Sequence, residues 1–294
     1  MTFTDTYALL LASIMWALSF PFIKLGLEYY PPIMMGALRY FFGALPLILF
    51  FILRKDSLED TKKLFKSHWK FIFAIGIFMV TIPNIAQNIG MQYTTASLST
   101  LIQTVGPVFT VILAIILLKE SAAAYKILGT ILALTCTIIL IFHQGVDFGG
   151  NNLVLIGNIL QFITAISYGI NAIFSKVAVE KVQPFLLVGW SMFVGAVILV
   201  PISLLTESQN WTQSLNIQAL WVMGFLVIFP ATIATSLWYW VLQRYEISKQ
   251  VLFIYLLPFI AIIFSYILLG EVVSFIAIIL GILTILGVAI AQKK

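Results

Sequence analysis

Apolar runs of about 20 residues, separated by short polar segments, constrain this chain more than any other feature of its sequence. They fall at 6–27, 32–53, 69–91, 95–118, 124–142, 153–176, 184–205, 217–242, 248–269 and 273–291. A hydrocarbon core about 30 Å thick is crossed by roughly 20 helical residues rising 1.5 Å each, so every run is long enough to span. The runs are continuously apolar and do not alternate residue by residue, which predicts helices and not a barrel. Composition agrees: 62% of the 294 residues are hydrophobic and 9% are charged, against about 45–50% and 25% in soluble domains. The expected fold is an all-α integral membrane protein with ten transmembrane helices. A water-soluble enzyme is excluded.

The basic residues fall in alternate connections. Segment 54–70 carries Arg54, Lys55, Lys62, Lys63, Lys66 and Lys70, and later connections add Lys119, Lys126, Lys176, Lys181, Arg244 and Lys249, with Lys293 and Lys294 at the end. The intervening segments 90–95, 143–152, 206–216 and 270–273 carry none. Lys and Arg accumulate in cytoplasmic loops, so both termini are expected in the cytoplasm, with the chain in the plasma or inner membrane. The net charge of +5 therefore needs no nucleic-acid partner. The first seven residues lack Lys and Arg and read as the start of a first span, not as a signal peptide. The loop 55–68 reads equally as a surface helix or a solvated connector. Asn210-Trp211-Thr212 matches the glycosylation pattern and is read as a chance match. The lone Cys136 allows no internal disulfide and no cysteine-based metal site.

The chain repeats itself. A displacement of 152 residues brings Lys24 onto Lys176, Glu28 onto Glu180, Pro32 onto Pro184, Gly43 onto Gly195 and Tyr93 onto Tyr245. Beyond Tyr93 a displacement of 151 fits better, bringing Ser97 onto Ser248, Pro107 onto Pro258 and Glu120 onto Glu271. Each unit holds five spans, an odd number, so the second must enter the membrane from the opposite face. The expected domains are two inverted five-helix repeats, residues 1–144 and 152–294. Such halves exchange conformations around one central site, giving outward-open and inward-open states of similar energy.

Two segments carry a family resemblance. Pro107 to Glu120 reads PVFTVILAIILLKE, and Pro258 to Glu271 reads PFIAIIFSYILLGE. Both resemble the signature of EamA-type units in the drug/metabolite transporter superfamily, with a proline inside the fourth helix of each unit and a Leu-Leu-x-Glu element closing it. Trp16 to Lys24, WALSFPFIK, is similar to the family's opening motif. The resemblance covers nearly the whole chain. It implies a permease for small organic solutes, with amino acids, other metabolites and toxic compounds all among the family's substrates.

Candidate site residues follow from polarity at depth. Pro107 and Pro258 lie ten to twelve residues into their spans, and a proline removes the hydrogen bond to the carbonyl four residues earlier, here Gln103 and Ile254. Freed carbonyls at that depth must meet protein or a wet cavity; a simple packing kink explains the prolines equally well. Asn84, Gln87 and Asn88 stand at i, i+3 and i+4 and share one helix face, either binding solute or bonding between helices. Gln103 and Tyr255 are expected at the midplane between the repeats, with Trp16, Tyr168 and Asn171 completing the cavity. The aromatics Trp238, Tyr239 and Trp240 read as an interfacial belt in preference to ligand contacts. Lys24 and Arg39 either attract an anion or serve structure and gating, through snorkelling or helix capping. Structure or gating is the favoured reading.

Absences narrow the chemistry. Each aspartate, Asp5 included, falls outside the apolar runs, and each glutamate lies at a span end or in a loop. No Walker sequence, paired intramembrane aspartates or zinc-binding set is present, so no cofactor or metal is expected. The expected function is a secondary transporter that moves a small organic metabolite by alternating access, with export of an amino acid or related metabolite foremost. The alternatives are a multidrug or organic-cation exporter, which wants a buried carboxylate, and a membrane-embedded lipid-acting enzyme, which wants a catalytic pair. The expected partners are a small-molecule substrate and the bilayer. Small residues such as Gly129 and Ala133 allow close packing within one chain or between two, leaving monomer and homodimer open.

Overall fold

The computed structural model describes residues 1–53, 57–117, 123–145, 152–208, 215–245 and 247–292, and among them the secondary structure is helical throughout. Glu120, the Asn210-Trp211-Thr212 pattern and most of the linker 145–152 lie outside the described residues. Nine described helical stretches, four of them joining shorter helices end to end, are long and apolar enough to cross a membrane. The last helix, Phe275–Ala291, is apolar throughout but has 17 residues.

In chain order the helices are α1 (Phe3–Gly26), α2 (Pro32–Ile52), α3 (Ser57–Ser67), α4 (Trp69–Ile75), α5 (Ile82–Tyr93), α6 (Ala96–Gln103), α7 (Gly106–Leu117) and α8 (Ala124–Gly145). The second half has α9 (Leu153–Val179), α10 (Pro184–Thr206), α11 (Ile217–Leu226), α12 (Thr235–Leu242), α13 (Ile247–Ile254), α14 (Leu257–Leu269) and α15 (Phe275–Ala291). α3 answers the question left by loop 55–68. It is a helix whose Leu64 is buried and whose Phe65 meets the Trp190 ring edge-on at 4.8 Å between centroids.

Polarity is arranged for a lipid solvent. Large apolar side chains such as Phe259, Ile263 and Ile267 of α14 are exposed, while Asn88, Asn158 and Gln161 are buried. Lipid tails reward no sequestration of apolar groups, so polar groups turn inward and find partners there.

Four helices are broken, each for a local reason. α4 runs into α5 through a π-helical segment, Gly76–Thr81, and α11 into α12 through another, Val227–Ala234. Pro83 follows the first and Pro230 lies inside the second; each lacks the N–H that an unbroken α-helix requires. The runs 95–118 and 248–269, read as kinked spans, are each two helices. Pro107 and Pro258 occupy the first turns of α7 and α14, where a missing N–H costs nothing. α6 and α13 begin 151 residues apart, as do α7 and α14.

α8 with α15 and α2 with α10 are the most extensively packed helix pairs. In the first, glycine is required by distance: a Cβ on Gly287 would lie 2.6 Å from the Ala133 nitrogen. The Gly129–Ala133 stripe is thus satisfied within the chain.

Charged side chains close helix ends. Lys24 donates to the carbonyls of Met91 (2.5 Å) and Thr94 (2.8 Å) at the end of α5. Glu271 accepts from the N–H groups of Ala96 (2.8 Å) and Ser97 (2.9 Å), the first turn of α6. Glu207 does the same for Ile33 and Met34 at the start of α2, at 2.6 and 3.0 Å. Asp5 corrects the expectation that aspartates stay outside the spans, since the first one runs from Phe3 to Gly26. α1 begins at Phe3, ahead of the apolar run, so Asp5 falls in its first turn and is fully buried. Its charge is met by Arg244 Nη1 at 3.0 Å and by the Tyr245 hydroxyl at 2.8 Å.

Candidate functional site: a cavity between the two halves of the chain

A cavity of about 180 Å³ is lined by α1, α2, the π-helical segment Gly76–Thr81, α5, α6 and α7 from the first half and by α9, α12, α13 and the start of α14 from the second. Its lining combines six aromatic residues and three amides with hydroxyl and aliphatic side chains. Of the residues singled out by sequence, Trp16, Gln87, Gln103, Tyr168, Asn171, Arg39 and Pro107 all line it.

The aromatic wall is held in place by the broken helices. Trp16 Nε1 donates to the Pro230 carbonyl at 3.1 Å, an oxygen inside the π-helical segment. This fixes the Trp16 ring 5.1 Å from that of Trp238, tilted 51°. The Tyr239 hydroxyl pairs with Ser175 Oγ at 2.5 Å, and Ser175 lies 3.0 Å from Asn171 Oδ1. The Pro230 carbonyl, which also accepts from Thr235 Oγ1 at 3.0 Å, thus positions an aromatic of the site.

The amide wall is a chain of three glutamines. Gln103 Nε2 donates to Gln161 Oε1 at 2.7 Å, and Gln161 Nε2 donates to the Gln87 carbonyl at 3.1 Å. Gln161 is fully buried and holds Gln103 in one orientation. Among the described residues nothing donates to Gln103 Oε1, which leaves an acceptor at the cavity. The Tyr168 hydroxyl approaches Gln87 Oε1 at 3.5 Å.

Arg39 stands apart. It is 6% exposed and is the only charged residue among the described lining residues. Its guanidinium lies 5.1 Å from the ring centroid of its neighbour Tyr40. Its Nε has no hydrogen-bond partner, and no carboxylate lies within ion-pair distance among the described residues. A basic side chain at depth costs about 2.5–3.5 kcal/mol on insertion scales, and among the described residues the Tyr40 ring offsets only part of that cost.

The remaining candidates are elsewhere, for stated reasons. Tyr255 is buried against Val105, Val108 and Ala133, and its hydroxyl donates to Gln292 Oε1 at 2.7 Å, so it does not face the cavity. Asn84 packs beneath Gly36 and donates to the Val80 carbonyl at 2.7 Å; Asn88 donates to the Pro32 carbonyl at 2.9 Å. Of the shared amide face only Gln87 reaches the cavity, because α5 packs that face against α2 and α9. Lys24 is a helix-end clasp and Pro258 a helix start; neither lines the cavity.

Sequence reasoning missed Tyr40, Trp238, Tyr239 and Gln161. Trp238 and Tyr239 were assigned to an interfacial belt, yet both line the cavity. The repeat itself carried the signal. Trp16 and Tyr168 stand 152 residues apart, as do Ser19 and Asn171 and also Gln87 and Tyr239, while Gln103 and Ile254, beyond Tyr93, stand 151 apart. Both members of each pair line the cavity.

The sequence pattern of the EamA-like transporter family matches residues 5–142 and, a second time, residues 155–291. The chain belongs to the EamA-like transporter family. It is accordingly a multi-pass membrane transporter and not an enzyme. Among curated relatives, this EamA-like chain is 26% identical over 276 residues to the uncharacterized transporter YoaV of Bacillus subtilis (strain 168), covering 93% of this chain and 91% of that protein. It is 27% identical over 280 residues to the "Probable amino-acid metabolite efflux pump" of Salmonella typhimurium, covering 92% and 88%. It is 22% identical over 291 residues to the "Probable terminal-alkyne amino-acid exporter" of Streptantibioticus cattleyicolor, covering 98% and 93%. A solved crystal structure that is 17% identical superposes with a TM-score of 0.69, covering 99% of this chain and 97% of that one, so the fold is one seen by experiment.

Proposed function

We propose that this EamA-like transporter is a ten-span secondary carrier built as two inverted five-helix repeats, residues 1–144 and 152–294. It exports an amino acid or related small metabolite from the cytoplasm across the cell membrane, with both termini cytoplasmic. The observation that carries the reading is the cavity lined by repeat-matched residues of both halves, Trp16 with Tyr168 and Gln87 with Tyr239. A site shared between equivalent halves is served from either face by exchanging their conformations. The second match of the family pattern to residues 155–291 supports the duplication. The names of the Salmonella and Streptantibioticus relatives support the substrate class. An organic-cation exporter finds less support, because the described lining holds a cation and no carboxylate.

The test is counterflow in proteoliposomes made with purified protein and no nucleotide. A panel of labelled amino acids is presented outside vesicles preloaded with the same unlabelled compounds. Protein-dependent accumulation of at least one compound is expected. Exchange of none, or exchange only when ATP is added, overturns the reading.

A further inference from the structure

We propose that Arg39 is the recognition group for a single carboxylate on the transported solute, whose remaining apolar or zwitterionic part rests against Trp16 and Trp238. The inference deepens the transporter reading and relies on it for the use made of binding. It starts from an unmet requirement of the protein itself. A guanidinium stays charged at any physiological pH and carries five N–H donors in a planar fork. At Arg39 that fork is buried, its Nε is unpartnered, and no acidic residue lies within ion-pair distance among the described residues.

The structural explanations fail on geometry. Snorkelling would carry the head group to an aqueous surface, but the residue is 6% exposed. Helix capping is performed elsewhere by Lys24 and Lys176, each on two backbone carbonyls, whereas Arg39 bonds none among the described residues. The Tyr40 ring, 5.1 Å from Arg39 Cζ, attracts the charge through its π face but offers no oxygen to the donor fork.

The cavity's composition names the anion. A carboxylate carries one charge and two oxygens that fit the guanidinium fork side by side. A phosphate dianion would ask for a second cation, and Arg39 is the only charged group among the described lining residues. The lining fits the rest of the solute as well. Trp16 and Trp238, 5.1 Å apart, offer aromatic faces to an apolar group or an ammonium, and Gln103 Oε1 offers an acceptor. A cationic solute without a carboxylate would bring like charge to Arg39 and is rejected.

The experiment uses purified full-length protein and matched probes: phenylacetate against phenylacetamide, and L-phenylalanine against L-phenylalaninamide. Binding is read by tryptophan fluorescence and by thermal unfolding, for wild type, Arg39→Gln and Arg39→Lys. In wild type each carboxylate is expected to bind at least about tenfold more tightly than its amide. The ratio should fall to about one in Arg39→Gln and be partly kept in Arg39→Lys, with inorganic phosphate displacing neither carboxylate. The inference is overturned by equal binding of acid and amide, by binding of neither, by a preference that survives in Arg39→Gln, or by displacement with phosphate. The wild-type ratio needs no variant, so the result stands even where a substituted protein fails to fold. Counterflow separates the two claims. Exchange of solutes with no carboxylate preference removes this inference and leaves the carrier reading intact, while carboxylate binding without exchange removes the carrier reading and leaves the recognition group.

Discussion

Thr81 and Thr232 make the same two hydrogen bonds from opposite halves of the molecule. Thr81 Oγ1 lies 3.3 Å from the Gly76 carbonyl of its own π-helical segment and 3.2 Å from the Gly195 carbonyl on α10. Thr232 Oγ1 lies 2.8 Å from the Val227 carbonyl of its own segment and 3.0 Å from the Gly43 carbonyl on α2. Each half thus bonds to the other's glycine, and Gly43 and Gly195 are themselves repeat-matched. An exchange of partners of this kind is what a two-fold axis running between the halves would generate.

Equal bonds should cost equally when lost. Thr81→Val and Thr232→Val each remove one hydroxyl shared between two carbonyls, so each is expected to destabilise by about 1 kcal/mol. Thermal unfolding in detergent measures this. A large loss from one variant with none from the other would contradict the equivalence.

The clasp formed by Glu271 gives a second prediction. Its carboxylate accepts from Ala96 and Ser97 N–H and from Ser97 Oγ, a helix N-terminal cap supplied from α14. Glu271→Gln keeps one acceptor and loses the charge, so a destabilisation of about 1 kcal/mol is expected, in the range of lost caps. Exchange should persist. Exchange abolished in a Glu271→Gln protein that still folds would show that the carboxylate takes part in transport.

Close packing of α8 on α15 gives a third. A Cβ at position 287 would lie 2.6 Å from the Ala133 nitrogen and 2.9 Å from the Gly129 oxygen, both backbone atoms that cannot move aside alone. Gly287→Val is expected to lower the melting temperature well beyond Ile282→Val on the lipid-exposed side of the same helix. Similar losses from the two would mean that the helices do not meet there.

Much of this architecture was legible before any coordinates. Helix existence follows from the long apolar runs, and Pro107 and Pro258 mark a local irregularity because a missing N–H acts locally, but the sequence reads each as a kink in one span and not as the start of a second helix. What the sequence did not reveal depends on which way a helix is turned. Gln87 and Asn88 are adjacent, yet α5 turns Gln87 to the cavity and Asn88 to the Pro32 carbonyl. Tyr255 follows the cavity residue Ile254 directly and faces Gln292 instead. The π-helical segments add rotation that a 3.6-residue period does not contain, which is why Trp238 and Tyr239 reach the cavity and not the membrane interface. Arg39 is visible in the sequence as a basic residue at depth, but only the structure shows that its Nε has no hydrogen-bond partner among the described residues.

Orientation is tested with single cysteines in a Cys136→Ser background. The one-sided distribution of basic residues predicts that Lys63→Cys is shielded from an impermeant thiol reagent in intact cells and that Ser208→Cys is labelled. The reverse pattern would invert the topology.

The account rests on one cavity served alternately from two faces, and Ala172 offers the most direct probe of it. Ala172 lines the cavity on α9, and Ala172→Cys adds a single sulfur there. In the Cys136→Ser background, right-side-out and inside-out vesicles are treated with a small impermeant thiol reagent. Labelling of Cys at position 172 from either face is the predicted result. Labelling from one face alone, in protein that still carries out exchange, would contradict alternating access through this cavity.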